Sequence, residues 1–156
     1  MGDKIVFQLG TRRFGLDIET VHRILEVERV FFIPGQSGFV NGMVSLMGEP
    51  VAVINCAKAL NAPEDRDGNA AGARRIIVVR EKGAMVGIDV NGALISFVWG
   101  EKIKDVHRPE KGMEAAHRFI RGILEAGQAP PVELIDCAAV FEETKKILSA
   151  QREHAC

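Results

Sequence analysis

The residues best able to do chemistry are spaced widely along the chain. The histidines are His22, His107, His117 and His154, and the cysteines are Cys56, Cys137 and Cys156. A catalytic histidine needs a nucleophile or a carboxylate within hydrogen-bond reach, and the sequence places no such partner beside any of the four. An odd number of cysteines without short spacing favours neither a disulfide framework nor a Cys-x-x-Cys metal site. His154 and Cys156 share a terminus, where a disordered tail is a simpler interpretation than a metal site.

Two carboxylates, Asp17 and Asp89, each lie inside an apolar stretch that is typical of a strand. Paired carboxylates can divide acid and base roles between them, but both residues occupy equivalent positions of an internal repeat, which favours a structural role. The repeat also matches Cys56 with Cys137, and free cysteines are usually buried packing residues. The sequence contains no phosphate-binding loop, His-Glu-x-x-His or Gly-x-Ser-x-Gly motif. We therefore predict no catalytic residues, no metal site and no cofactor.

The elements that would position these residues are short strands with alternating polarity. Ile5, Phe7 and Leu9 share one predicted face, and a turn at Gly10-Thr11 leads to the next strand. Residues 76–79 are continuously apolar, which predicts a strand buried on both faces. Asn55 is placed to cap a short helix over residues 56–60, and Asp136 a longer C-terminal helix. Residues 104–118 are polar, and we expect them to be irregular.

The order of elements occurs twice. The matching pairs of segments are 15–18 with 87–90, 39–44 with 119–124, and 51–57 with 132–138. The offset grows from 80 to 81 residues between the second and third pairs, which indicates a one-residue insertion in the intervening turn. The repeat predicts two small β-modules of about five strands each, packed together and closed by the C-terminal helix.

Length and composition fit a single globular domain. The chain has 156 residues, of which 47% are hydrophobic, and its net charge is −1. A near-zero charge argues against a nucleic-acid binder, whose affinity comes largely from neutralising phosphates. No signal or membrane-spanning segment is evident, so we expect a cytoplasmic protein without membrane insertion. We assign residues 1–150 to one domain with a linker loop at 61–73, and residues 151–156 to a tail.

Residues 4–146 resemble the CheW-like family of chemotaxis coupling proteins. The resemblance is carried by segments 5–10, 14–18, 33–35, 39–48 and 51–55, taken in order, together with Val21. It implies two interlocked, SH3-like five-stranded β-barrel subdomains. It also implies a non-catalytic adaptor that joins the cytoplasmic tip of a chemoreceptor to the regulatory domain of a CheA-type histidine kinase.

The resemblance also suggests binding residues, and the chain departs from the family pattern at several of them. The implied protein-binding set is Val21, Arg23, Gly42, Ser45, Met47 and Gly48. The family usually has Glu where this chain has Arg23, Asn at Ser45 and Arg at Met47. Because an Arg and a carboxylate form a directional ion pair, we interpret Arg23 and Met47 as a matched change. We expect Met47→Arg alone to leave Arg23 facing a like charge, and the double change with Arg23→Glu to couple better.

Three explanations of these departures stay open. The protein serves a divergent chemosensory array, or it has lost receptor coupling and binds another partner, or surface positions have drifted. An alternative function is a module that binds another protein or a small ligand without receptor coupling. In that case Val30–Phe32 and Trp99 would line an apolar pocket between the halves, although core packing also explains them.

Overall fold

The computed structural model describes residues 2–27, 30–32, 38–62, 74–103, 105–108, 118–125 and 127–154. This part of the chain is mainly β. Its strands are β1 Lys4–Leu9, β2 Arg12–Asp17, β3 Val21–Val27, β4 Phe31–Phe32, β5 Val40–Leu46, β6 Glu49–Asn55, β7 Arg74–Glu81, β8 Ala84–Asp89, β9 Ile95–Val98, β10 Asp105–His107, β11 Ile120–Glu125 and β12 Val132–Ile135. Two α-helices, α1 Cys56–Ala59 and α2 Cys137–His154, follow β6 and β12.

The strands form two six-stranded sheets, and each sheet mixes the two sequence halves. One sheet has the order β10-β11-β12-β2-β1-β9, and the other has the order β3-β7-β8-β6-β5-β4. The first therefore combines the β1–β2 hairpin with the last four strands, and the second combines the β7–β8 hairpin with β3–β6. Neighbouring strands are antiparallel except at β12–β2 and β6–β8, where the exchanged hairpins join the other half in parallel.

The repeat predicts two modules of about five strands each, and the structure builds its two sheets by exchanging hairpins between the halves. Each sheet has six strands, and each half contributes its first hairpin to the sheet of the other half. The repeated sequence specified which elements occur, but pairing between halves depends on contacts that a repeat does not encode. Within the described residues both sheets remain open, with β10 and β9 as edges of one and β3 and β4 as edges of the other.

The largest buried cluster joins both sheets and the C-terminal helix. It contains Phe7 and Phe14 from the first sheet, Ile77 and Ile88 from the second, and Phe141 from α2. Two smaller clusters each belong to one sheet. The predicted two-faced burial of residues 76–79 is confirmed, since all four side chains are fully buried.

Both predicted helix caps are present. The Asn55 side chain accepts a hydrogen bond from the Lys58 amide at 3.1 Å, and Asp136 accepts one from the Ala139 amide at 3.1 Å. The longer helix, α2, continues to His154 and so includes residues 151–154.

Two strands differ from expectation. Residues 105–107 form β10 inside a segment predicted to be irregular, and β3 was not anticipated as a strand. The sequence of β3, Val-His-Arg-Ile-Leu-Glu-Val, lacks clean alternation because an edge strand leaves polar side chains exposed on both faces. Several predictions lie outside the described residues, namely those for the linker at 63–73, the segment 33–35, His117 and Cys156.

Candidate functional site

The turn between β5 and β6 presents an unusual exposed residue. Leu46 pairs with Glu49, so Met47 and Gly48 form a two-residue hairpin loop. Their φ angles are 50° and 85°, which matches the type I′ turn that favours Asn-Gly. A side chain in this left-handed conformation costs about 1 kcal/mol. Met47 nevertheless occupies it with 85% of its surface exposed.

Two further residues of the implied site lie on β5. A Cβ at Gly42 would approach the Phe31 carbonyl oxygen to 2.1 Å, so the absence of a side chain lets β4 pair closely with β5. Ser45 is exposed and lies opposite Pro50. The close approach of β4 therefore explains why residue 42 is glycine. Ser45 and Met47, in contrast, are exposed near the end of the hairpin.

The remaining two residues, Val21 and Arg23, lie on β3 at an edge of the same sheet. A bulge separates them in the pairing with β7, and Arg23 is exposed. Strands β7, β8 and β6 separate β3 from β5, a span of roughly 19 Å along a flat sheet at about 4.8 Å per strand. Arg23 and Met47 therefore do not lie on neighbouring strands. The sheet order gives no support to the predicted pairing between them, which stays a prediction.

The two repeat-related carboxylates do not form a catalytic pair. Asp17 lies in the first sheet, where its oxygens contact Lys4 Nζ at 2.7 Å and Arg121 Nη2 at 2.8 Å. Lys4 is almost fully buried, and a buried ammonium requires such a partner. Asp17 therefore joins the exchanged β1–β2 hairpin to β11 of the other half.

Asp89 makes equivalent polar contacts in the second sheet. One of its oxygens contacts Arg74 Nη1 at 3.1 Å and Asn41 Nδ2 at 3.4 Å, and the other accepts the Asn91 amide at 2.8 Å. Asn41 occupies the repeat position of Arg121. These contacts are consistent with a structural role for both aspartates, because Asp17 and Asp89 bind different partners in different sheets.

The ion pair between Arg12 and Glu133 was missed at the sequence level. Arg12 donates from Nε and Nη2 to the two Glu133 oxygens at 2.9 and 2.7 Å, and both side chains are largely buried. The same guanidinium donates to the Leu60 carbonyl at 3.0 Å. It thus connects β2, β12 and the end of α1. The repeat gave no signal, since alanines occupy the equivalent positions 84 and 52.

The two matched cysteines are buried, as predicted. Burial raises the pKa of the Cys56 thiol far above its ordinary value, and the charge of Asp89 acts in the same direction. Burial also raises the pKa of Cys137 to about 11, against the opposing hydrogen bond to Thr20. Both thiols are therefore protonated and unsuited to nucleophilic chemistry at neutral pH.

The histidines whose side chains are described make only exposed contacts. His22 lies 3.5 Å from Arg80, and His107 Nε2 lies 3.7 Å from a Glu125 oxygen. Across the described ranges, no group of three or more histidine, cysteine or acidic side chains is placed to hold a metal ion.

An exposed aromatic pair lies at the β9 edge of the first sheet. Phe97 on β9 and the adjoining Trp99 stack with ring centroids 6.1 Å apart, and they are 54% and 56% exposed. Phe31, by contrast, belongs to the β4 edge of the second sheet. Phe31 and Trp99 therefore belong to different sheets or their flanks, and the apolar pocket suggested between residues 30–32 and Trp99 stays a prediction.

Two cavities are lined by residues outside the β5–β6 turn and the Phe97–Trp99 pair. A polar cleft of about 270 Å³ is lined by Gly2, Asp3, Lys4, Asp17, Glu19 and Arg121. Three of these residues, Lys4, Asp17 and Arg121, are already joined by the ion pairs described above. An apolar void of about 10 Å³ lies beside Cys56 and Leu60, which is too small for a ligand. The helices in the described segments include none with the length and apolar character to span a membrane.

Comparison with known proteins agrees with this architecture. Residues 3–145 match the model of the CheW-like domain. A chemotaxis protein CheW from Thermotoga maritima is 27% identical over 88 residues, which cover 56% of each chain. The match thus spans about half the length of that curated relative. The crystal structure of the scaffolding protein TtCheW from Thermoanaerobacter tengcongensis aligns with a TM-score of 0.70 and 24% identity, over 86% of this chain and 83% of that one.

The similarity to the solved structure shows the fold, and the match to the domain model shows the family. That family comprises non-catalytic scaffold and coupling proteins of chemotaxis. Since the match extends through both sheets and into α2, the chain belongs to the CheW-like domain family.

Proposed function

We propose that this protein is a cytoplasmic adaptor that couples the cytoplasmic tip of a chemoreceptor to the regulatory domain of a CheA-type histidine kinase. The observation that carries the proposal is the match of residues 3–145 to the CheW-like domain. In this proposal the two sheets correspond to the SH3-like subdomains of the family. Its protein partners would bind the open sheet edges and the β5–β6 turn.

The structure supports a binding role through its exposed features. Strand β3, with Val21 and Arg23, is an edge of the second sheet among the described strands, and Met47 is exposed in the β5–β6 turn. Edge strands and exposed apolar side chains are the surfaces on which soluble proteins dock partners. Single contacts of this kind are weak, and an ordered array would strengthen them through multivalency.

The test measures binding of the purified protein to two fragments from the same genome, the kinase regulatory domain and the receptor signalling tip. We expect both to bind, each at micromolar concentration or tighter. Binding to the kinase domain without the receptor tip would favour the alternative of a module without receptor coupling. Failure to bind either fragment at high micromolar concentration would contradict the proposal.

A further inference from the structure

The chain contains two Asn-Gly dipeptides, Asn41-Gly42 and Asn91-Gly92, and a valine precedes each of them. In such a dipeptide the glycine nitrogen can attack the asparagine side-chain carbonyl, because glycine has no side chain to hinder a close backbone approach. In a folded protein the reaction depends on how firmly the local backbone is held. Both asparagines are half-buried and both contact the carboxylate of Asp89, but their backbones lie in different environments.

The first dipeptide, Asn41-Gly42, is held inside the second sheet. Asn41 is the extra residue of a bulge in β5, and Gly42 is paired with Phe32 of β4 on one side and with Val53 of β6 on the other. Gly42 is also buried. Rotation of the backbone between Asn41 and Gly42 would therefore disrupt the pairing of β5 with both neighbouring strands.

The second dipeptide, Asn91-Gly92, lies in the turn that follows β8. The Ala93 amide donates to the Val90 carbonyl at 3.1 Å, so Asn91 and Gly92 are the central residues of this turn. Asn91 has a φ of 59°, and Gly92 is exposed. Both residues lie outside the described strand pairs, which end at Asp89 and resume with β9. Rotation of the backbone between Asn91 and Gly92 therefore leaves the pairing of the strands intact.

From this comparison we infer that Asn91-Gly92 is a site of spontaneous deamidation, whereas the sheet protects Asn41-Gly42. The Gly92 nitrogen forms a bond to Cγ of Asn91 and gives up its proton, the Cγ–Nδ2 bond breaks, and Nδ2 leaves as ammonia. Water then opens the resulting cyclic imide at either carbonyl and yields aspartate or isoaspartate. No electrons are gained or lost, and water is the co-reactant. The reaction needs no enzyme and is independent of the proposed function.

The product would disturb one corner of the second sheet. Asp89 accepts the Asn91 amide at 2.8 Å and contacts Arg74 Nη1 at 3.1 Å, while the Asn91 carbonyl accepts the Arg75 amide at 2.7 Å. Deamidation places a second negative charge near Asp89, and neighbouring like charges repel each other. Isoaspartate also adds a CH2 group to the backbone of the turn. We therefore expect deamidation to weaken the contacts of this turn with β7.

The test incubates the purified protein in mildly alkaline buffer, which favours loss of the amide proton, and follows each site by peptide mass spectrometry. We expect Asn91 to convert at least about ten-fold faster than Asn41 in the folded protein, since paired strands open less often than turns. In concentrated urea the two sites should convert within about two-fold of each other, because the protecting sheet is then absent.

A variant, Asn91→Gly, is the matched control for stability. Glycine accepts the positive φ of residue 91 and has no side-chain amide to lose. Once Asn91 is converted in the wild type, the melting temperature should be about 2–4 °C lower, whereas the same incubation should leave that of Asn91→Gly nearly unchanged. An equal fall in both proteins would show that deamidation of Asn91 does not weaken the turn.

Two results would overturn the deamidation site itself. One is conversion of Asn41 as fast as Asn91 in the folded protein, which would mean that the sheet gives no protection. The other is a folded protein whose Asn91 stays intact while the same residue converts in urea, which would mean that the turn holds its backbone as firmly as a paired strand.

Discussion

The rings of Phe39 and Phe119 meet edge to face, with centroids 5.6 Å apart and an interplanar angle of 80°. They occupy equivalent positions of the sequence repeat. Each also repeats the same backbone contact, because the Phe39 carbonyl accepts the Asn55 amide and the Phe119 carbonyl accepts the Asp136 amide, both at 2.7 Å. The two halves of the chain therefore meet at a pair of matched aromatic residues.

This contact predicts measurable coupling between the halves. In a double-mutant cycle of Phe39→Leu and Phe119→Leu, followed by urea unfolding, the aromatic pair should contribute an interaction energy of about 0.5–1.5 kcal/mol. The two substitutions should therefore destabilise the protein less together than the sum of their separate effects. Strict additivity would show that the rings act only through burial in their own halves.

The Arg12–Glu133 ion pair should be costly to break on one side. Glu133→Ala leaves the largely buried guanidinium without its carboxylate, and we expect unfolding free energy to fall by about 3 kcal/mol. The double variant Arg12→Met with Glu133→Leu should recover much of this loss, because it removes both charges. Chemical denaturation measures all three. A loss below about 1 kcal/mol for Glu133→Ala would indicate that water solvates the pair.

The equivalent glycines Gly42 and Gly122 should differ in their tolerance of a side chain. A Cβ at Gly42 would approach the Phe31 carbonyl oxygen to 2.1 Å, whereas the closest atom at Gly122 is a Val106 methyl at 3.3 Å. We expect Gly42→Ala to cost about 1–3 kcal/mol by displacing β4, and Gly122→Ala to cost clearly less. Thermal unfolding of the two variants compares them directly, and equal losses would contradict this account of β4.

The buried thiols should be slow to react and should make the fold sensitive to alkali. With a pKa of about 11 for Cys137, against an ordinary thiol value of 9.0, the thiolate fraction at pH 8 is roughly 0.1%, whereas that of an ordinary thiol is roughly a tenth. In a Cys156→Ser background, a thiol reagent should therefore label the native protein only slowly and the unfolded protein at once.

The sign of the pH effect follows from the raised pKa values. The folded state holds these protons more tightly than the unfolded state, so stability is complete below the ordinary thiol pKa of 9.0 and declines above it. For Cys137 the decline extends to about pH 11 and is at most about 1.4 kcal/mol per pH unit. Cys137→Ala should flatten the stability profile in this window. An unchanged slope would assign the alkaline sensitivity to other groups.

Separation of β3 from the β5–β6 turn predicts that Arg23 and Met47 act independently. Arg23→Glu and Met47→Arg should have additive effects on receptor-tip affinity, within about 0.5 kcal/mol, because three strands lie between the positions. The measurement is a binding cycle with the wild type, both single variants and the double variant. A double variant that binds much better than the sum allows would support the predicted pairing instead.

Much of the fold could be predicted from the sequence, because buried strands and helix caps have recognisable local residue patterns. The alternation in β1, the apolar run in β7 and the caps Asn55 and Asp136 all specified their elements correctly. Exchange of the β1–β2 and β7–β8 hairpins between halves was not accessible. It depends on parallel pairing over a long sequence separation, and the repeat is equally consistent with strands that pair within their own half.

The site was predicted less completely than the fold. Family resemblance supplied Val21, Arg23, Gly42, Ser45, Met47 and Gly48, but not their placement on the β3 edge, within β5 and in the β5–β6 turn. The strain at Met47 depends on its φ angle, which is set by a two-residue loop between paired strands. The Arg12–Glu133 pair joins residues 121 positions apart, so no local sequence pattern could predict it.

The most direct test of receptor–kinase coupling is reconstitution of the CheA-type kinase with receptor signalling domains from the same genome, while this protein is titrated and kinase autophosphorylation is measured. We predict that autophosphorylation becomes receptor-dependent as the protein is added, and that the dependence is lost without it. Kinase activity that does not respond to receptors at any concentration of the protein, although the kinase domain binds it, would contradict the proposed coupling.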